Sequence, residues 1–407
     1  MNIIHTAALL CVMQPVGGLA LAAPSSQISK LAKKLTAETM IVDGHNDLPW
    51  ALRVNDLSDL NKIDLSSRQE TFHTDIPRLR EGGVGLQFWS AYVPAKAGEQ
   101  GNAVEMTLEQ IDLIHRMIEN YPKDFTLAAT ADEAEEAFKN GKIASMIGVE
   151  GGYSINRSLA ILRVFQKLGV RYMTLTHNKT IEWADSATDD EKHGGLTEFG
   201  KTVVSEMNRL GIMVDISHVS SKTMIAAIKV SKSPVIASHS SARYLDNHPR
   251  NIGDDVLQLI AKNDGLVMVN FYSGFINKKA VAQIEARKSQ RKSLLKAQLT
   301  GSEIKYAMQV WDEEHPLERG SVEDILAHID HIRKVAGINH VGLGSDFDGV
   351  PTLPRGLGDV SGYARITQGL LDLGYSIADV RKVLGGNAIR VIRKNEQVAR
   401  AMQNRSL

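Results

Sequence analysis

The 407-residue sequence predicts an α/β chain folded as a single (β/α)8 barrel. Two observations carry that reading. Eight short apolar runs alternate with amphipathic segments of helical period, the pattern of βα units around a parallel sheet. Most of those runs end in a side chain able to bind a metal or move a proton, and the C-terminal rim of such a barrel is where its chemistry gathers. The length suits one large core of this class.

In chain order the runs are MIVDGHND (40–47), VGLQFWSAYV (84–93), ASMIGVEG (144–151), VRYMTLTH (170–177), GIMVDISH (211–218), PVIASHS (234–240), GLVMVNFY (265–272) and HVGLGSDF (340–347). Helix candidates between them include AVEMTLEQIDLIHRMIENY, SLAILRVFQKLG, EFGKTVVSEMNRLG and SVEDILAHIDHIRKVAG. Asp254 and Ser321 precede helical runs and are expected to cap them. After the seventh run comes an insert, about 274–319. Its residues 278–305 hold eight Lys or Arg and two Glu at helical spacing. We expect a solvated helix beside the barrel mouth; the alternative is a lid or a dimer contact. Beyond Pro354 the pattern is a C-terminal helical pair.

The first residues, MNIIHTAALLCVMQPVGGLALAAPSS, are apolar and end in Ala20-Leu21-Ala22 before Ala23-Pro24. Residues 1–23 are therefore expected to be a signal peptide, although the positive n-region is missing, and 24–407 a single catalytic domain. Cys11, the only cysteine, lies in that segment, so the mature chain has no disulfide and no thiol nucleophile. Balanced charge, 47 basic against 47 acidic residues, gives no basic excess for nucleic acid and no acidic excess for disorder. No apolar run near the C-terminus suits a transmembrane anchor. The expectation is a soluble secreted or periplasmic protein.

The run ends hold the chemistry. His45 and Asp47 stand at i and i+2 and share a strand face. Glu150, His177, His218, His239 and Asp346 close five further runs. Imidazole and carboxylate without thiolate favour zinc, with manganese or cobalt as substitutes. Five ligands exceed what one catalytic zinc with an open position uses, whereas two metals sharing a carboxylate use them well. Glu150 is the natural bridge, with His45 and Asp47 on one metal and His218 and His239 on the other. Metals about 3.5–4 Å apart hold a bridging water and lower its pKa. Asp346 is then free to take the proton from that water and pass it to a leaving amine.

The motifs VDGHNDLPW, HTDIPRLREGGVGLQFWSAYVP, GVEGG, LTHN with EWADS, DISHVS, SHSSAR with HPRNI, MVNFY, VGLGSDFDGV and GGNAIRV together resemble the membrane (renal) dipeptidases, zinc-dependent peptidases of family M19, over residues 38 to 394. The resemblance implies two zinc ions per chain on His45, Asp47, Glu150, His218 and His239, and a catalytic acid at Asp346. It implies a histidine near the substrate carbonyl at His177, an arginine gripping the substrate carboxylate at Arg250, and a substrate-side tyrosine at Tyr272. Members of the family cleave dipeptides, often accept a D-residue at the C-terminal side, in some cases open β-lactams, and often form homodimers. An arginine suits a free carboxylate because its planar fork binds it bidentately; Arg243 competes for that role, and a surface pairing of Arg250 with Asp254 is the structural alternative. The chain departs from the mammalian relatives, which are lipid-anchored and disulfide-bonded. Alternatives are another small amide, lactam or ester as substrate, or a metal-binding protein without catalysis. Many barrel hydrolases bridge their metals with a modified lysine after strand four, where this chain has Thr176-His177.

Overall fold

A computed structural model describes residues 27–404. The expected signal peptide and Cys11 lie outside the described residues. Nine strands form one parallel sheet: β1 (Ile41–Asn46), β2 (Val84–Tyr92), β3 (Phe125–Leu127), β4 (Ile143–Glu150), β5 (Val170–Thr174), β6 (Met213–Asp215), β7 (Ile236–Ala237), β8 (Leu266–Val269) and β9 (Val341–Leu343). Eight of them close a ring, β1-β2-β4-β5-β6-β7-β8-β9 and back to β1. These eight are the eight apolar runs. The ninth, β3, is an addition that the sequence pattern missed. It pairs only with Ile143–Ser145 at the start of β4, while β5 pairs with Ile147–Glu150 further along. Three residues are too short a run to show a period.

The strands alternate their faces in the usual way. Val42, Leu86, Phe88, Met146, Tyr172 and Met268 fill the barrel interior, and the helix Asn387–Gln403 closes its lower end with Ala388, Ile389, Val391 and Ile392. The outer strand faces pack against the surrounding helices in a larger apolar cluster. Each large side chain fully buried there contributes about 1.5–3 kcal/mol. This packing holds the C-terminal strand ends in fixed relation, and so positions whatever they carry.

The four expected helices form as Ala103–Asn120, Leu159–Lys167, Glu198–Leu210 and Val322–Ala336. Ser321 stands at the N-cap of the last, and its backbone N–H donates to Asp324 at 2.8 Å. Asp254 does not cap. It is the first residue of its helix, Gly253 holds the cap position, and the Asp254 carboxylate pairs with His331 Nε2 at 2.8 Å.

The insert is a helical hairpin, Lys278–Lys296 and Gly301–Glu314, joined across by Arg287–Asp312 at 2.6 Å. The first helix buries only Ala280, the second only Ile304 and Met308. Both are solvated, and neither lines the cleft above the strand ends. No helix among the described residues is long and apolar enough to cross a membrane.

Inside the barrel Gly148 leaves room for the Tyr172 ring, into which a Cβ at that position would project. Gly148→Ala should destabilise the chain by about 1–3 kcal/mol through overpacking. Denaturant unfolding at equilibrium checks this, and an unchanged midpoint would show that the ring can yield.

Candidate metal centre

His45 lies within β1 and Glu150 ends β4. The other predicted site residues stand just past their strands. Asp47 opens the helix Leu48–Val54, and His177, His218, His239 and Asp346 follow the ends of β5, β6, β7 and β9. The sequence reading carried these strands through to the site residues, and the structure ends them earlier. His218 and Asp346 adopt left-handed backbone, φ 65° and 67°, which no strand continues through. Such a conformation costs a β-carbon-bearing residue about 1–3 kcal/mol and is kept where a side chain must be aimed.

All of them converge. Glu150 Oε1 lies 3.0 Å from His218 Nε2, 3.4 Å from His239 Nε2 and 3.9 Å from His177 Nε2. Its other oxygen lies 3.6 Å from His45 Nε2, which is 3.2 Å from Asp47 Oδ2. His218 and His239 bring their Nε2 atoms within 2.9 Å of each other. Three groups have the proximity to hold a cation: His45–Glu150–His239, Glu150–His177–His218 and His45–Asp47–Asp346. Glu150 belongs to two of them. His239 lies against both the His45 ring, at 3.9 Å between centroids, and His218.

Hydrogen bonds beneath the cluster set the tautomers. Ser238 Oγ donates to Asp215 Oδ2 at 2.7 Å, so its single proton is spent, and His239 Nδ1 must donate to it at 2.7 Å. His218 Nδ1 donates to Asn178 Oδ1 at 3.1 Å. Both Nε2 atoms therefore present lone pairs, the form in which imidazole binds metal. His45 Nδ1 meets the Tyr172 hydroxyl at 2.7 Å. Asp215, Ser238, Asn178 and Tyr172 are the residues sequence reasoning missed. Asn178 and Ser238 adjoin His177 and His239 in sequence, a signal of sorts; Tyr172 and Asp215 carried none.

Burial drives His218 and His239 well below the ordinary imidazole range, with Arg250 adding to the first and His45 to the second. Burial also lowers His177. At His45 burial pulls downward, but Tyr172, Asp47 and Glu150 outweigh it and hold the imidazole well above its usual value. Burial raises the Glu150 carboxyl, and the His45 and His177 imidazoles more than reverse this, leaving it well below. Asp346, which accepts from Asn270 Nδ2 at 2.8 Å, is lifted by burial to about 7, against His45 and with Asp47 and Glu150.

The donor set fits a metal pair. His45 Nε2 and Asp47 Oδ1 are buried without a hydrogen-bond partner, and an unpaired buried polar atom is costly. Nitrogen and carboxylate oxygen without sulfur suit zinc.

Above the cluster opens a cleft of about 580 Å³, in the range of small-ligand sites. Arg250 and Tyr272 both line it. Arg250 is 2% exposed, and its guanidinium reaches only Ser240 Oγ and the His239 carbonyl, each at 3.3 Å, while Nε has no partner. Burial lowers it to about 10. It does not pair with Asp254, and Arg243 turns instead to Ser221 and the Pro249 carbonyl. Burial raises the Tyr272 hydroxyl to about 12, and Asp346 adds to this.

A sequence profile of the membrane dipeptidases (peptidase family M19) matches residues 29–406. The chain belongs to this family. It is 38% identical to dipeptidase aclJ of Aspergillus oryzae over 89% of its own length and 79% of that protein. It is 40% identical to dipeptidase 3 of Mus musculus over 91% of its length and 68% of that one. Among solved structures it is similar to a metallo peptidase from Rhodobacter sphaeroides bound to a phosphinate mimic of the dipeptide L-Ala-D-Ala, with 25% identity and a TM-score of 0.71 over 88% of this chain and all of that one. The resemblance seen in the motifs, the barrel and the assignment as a dipeptidase of the metallopeptidase class, a hydrolase, thus agree.

Asp346 sets a pH dependence in the metal-free protein. An unfolded aspartate titrates near 3.9, so between about 4 and 7 the folded chain holds a proton the unfolded one has released. Its contribution to stability is present at low pH and lost as pH rises through about 7. In chelated protein, the melting temperature of Asp346→Asn relative to the parent should rise by a few degrees between pH 5 and pH 8. A difference that does not change with pH would refute the assignment.

Proposed function

We propose that the chain hydrolyses the peptide bond of free dipeptides, L-L and L-D, with two zinc ions per chain. The observation that carries this reading is Arg250, a fully buried guanidinium with no carboxylate partner among the described residues, facing the same cleft as the imidazole–carboxylate cluster. A buried cation needs an anion, and the free α-carboxylate of a dipeptide supplies one bidentately. Cleavage of L-D dipeptides draws support from the ligand of the Rhodobacter sphaeroides relative.

His45 and Asp47 would hold one ion, His218 and His239 the other, with Glu150 between them. Zinc bound there supplies Lewis acidity, acidifying a water and steadying negative charge on a carbonyl oxygen. The chain does the rest. Arg250 fixes the carboxylate and Tyr272 flanks it, so the distance to the cluster measures one residue. Asp346 takes the proton of the attacking water and returns it to the amine nitrogen as the C–N bond breaks, releasing two amino acids. His177, kept neutral by burial, donates its ring N–H toward the oxyanion. The N-terminal segment supports export, to the periplasm or beyond.

A panel of L-L, L-D, N-blocked and C-amidated dipeptides, with chelation and zinc restoration, tests the reading. Zinc-restored cleavage of the free dipeptides is expected. Arg250→Ala should raise KM for them on the order of 10- to 100-fold, the worth of a charged hydrogen bond, with little effect on amidated ones; equal weakening of both makes Arg250 structural.

Glu150→Gln should lower bound metal to below two ions per chain by elemental analysis. Two ions retained would contradict the bridge.

A further inference from the structure

The basic hairpin has no part in the cleft, and its own surface is unevenly built. Helix Lys278–Lys296 packs chiefly against the turn Ser273–Ile276 at its base and against its partner helix Gly301–Glu314. Its 19 residues span about 28 Å at 1.5 Å each. The segment 291–306, which joins the two helices, therefore stands out from the barrel as a tip.

Charge is sorted along the hairpin. The tip carries four cations, Arg291, Lys292, Lys296 and Lys305, and a single acid. That acid, Glu303, is taken up by the cap of the second helix, where it accepts the Thr300 N–H at 2.8 Å and the Thr300 hydroxyl at 2.7 Å. None of the four cations makes an ion pair among the described residues; the pairs within the hairpin are Arg287–Asp312 and Lys288–Glu285. The other acids, Asp312, Glu313 and Glu314, end the second helix at the base.

Apolar surface gathers at the same tip. Of the ten large hydrophobic side chains exposed among the described residues, three stand here: Leu295 at 50%, Leu299 at 37% and Tyr306 at 71%. An even spread would put fewer than one in so short a stretch. Single exposed apolar residues are ordinary, but a cluster marks a contact. Lys292, Leu295 and Lys296, at i, i+3 and i+4, share a helix face. Leu299 follows in the turn, and Tyr306 lies about 8 Å into the second helix.

Cations interleaved with exposed apolar side chains match a bilayer surface bearing anionic headgroups. The acyl boundary takes the leucines and the tyrosine ring, while long basic side chains reach back to the phosphates. An anionic polymer would be met by the charges alone and leaves the leucines without a partner. A second copy of the chain would set the four cations against themselves.

We propose that the hairpin tip, residues 291–306, docks the protein on anionic phospholipid, with its four cations at the headgroups and Leu295, Leu299 and Tyr306 beneath them. The contact is reversible and salt-sensitive, because the chain as a whole has no net charge to reinforce it and exposed charges are screened within a Debye length. It needs no covalent lipid. The cleft, at the base of the hairpin, stays open to substrate.

The test is co-sedimentation of the purified protein with phosphatidylcholine vesicles that contain or lack phosphatidylglycerol. At low salt, binding to the anionic vesicles should exceed binding to the neutral ones by about tenfold or more and should fall away at high salt. Lys292→Glu combined with Lys296→Glu should remove most of that gain. Leu295→Ser combined with Leu299→Ser, which leaves charge unchanged, should weaken binding severalfold. All four positions are exposed, so both variants should keep the parental melting temperature and circular dichroism. Equal binding to the two kinds of vesicle, or binding to neither, overturns the proposal. A leucine variant that binds as tightly as the parent also overturns it, because the tip then reads charge alone. So does a parent dimer that the leucine variant splits into monomers, because the tip is then an interface between copies.

Discussion

The structure turns on one electrostatic problem, the confinement of Glu150 with four imidazoles and two further carboxylates at the largely buried floor of a cleft. His218 and His239 point lone pairs at each other across 2.9 Å because their Nδ1 protons are committed to Asn178 and Ser238. Glu150 sits against both. A proton on His45 satisfies Asp47 and Glu150, while burial disfavours the proton on His218 or His239 that would bridge that pair. A divalent cation among the Nε2 atoms and carboxylate oxygens would accept those lone pairs.

The barrel makes that confinement possible by holding backbone in positions it would not choose. His218 and Asp346 sit in left-handed conformation immediately beyond their strands. Asp215 holds that region together. It accepts from Ser217 N–H, Ser238 N–H, Thr174 Oγ1 and Ser238 Oγ, linking three consecutive strands with a single carboxylate. Asp43 does the same between β1 and β9, accepting from the Ser345 N–H at 2.7 Å and its hydroxyl at 2.6 Å. Buried carboxylates so fully satisfied rigidify their surroundings, and here the rigid part is the floor beneath the candidate ligands.

The cleft above is polarised by position. Arg250 follows β7 at one side, Asp346 and Asp47 stand near β9 and β1, and the aromatic pair Trp50 and Tyr92 stands opposite Arg250. The basic hairpin stays outside it. Only the short turn before it, carrying Tyr272 and Phe275, touches the cleft.

The sequence by itself determined the fold class and the identity of the chemical groups. Strand runs of period two or continuous apolarity are local facts, and in a barrel every strand end must reach the same rim, so His45, Asp47, Glu150, His218, His239 and Asp346 could be gathered without coordinates. Motif specificity did the same for Arg250, His177 and Tyr272. Only the tertiary structure decided what those groups rest on. The left-handed turns at His218 and Asp346, the Tyr172 hydroxyl under His45, the Asp215–Ser238 link to His239 and the missing counter-ion of Arg250 all depend on contacts between strands and loops far apart in sequence. The three-residue strand β3 also escaped, since so short a segment takes its conformation from the neighbour it pairs with rather than from its own pattern.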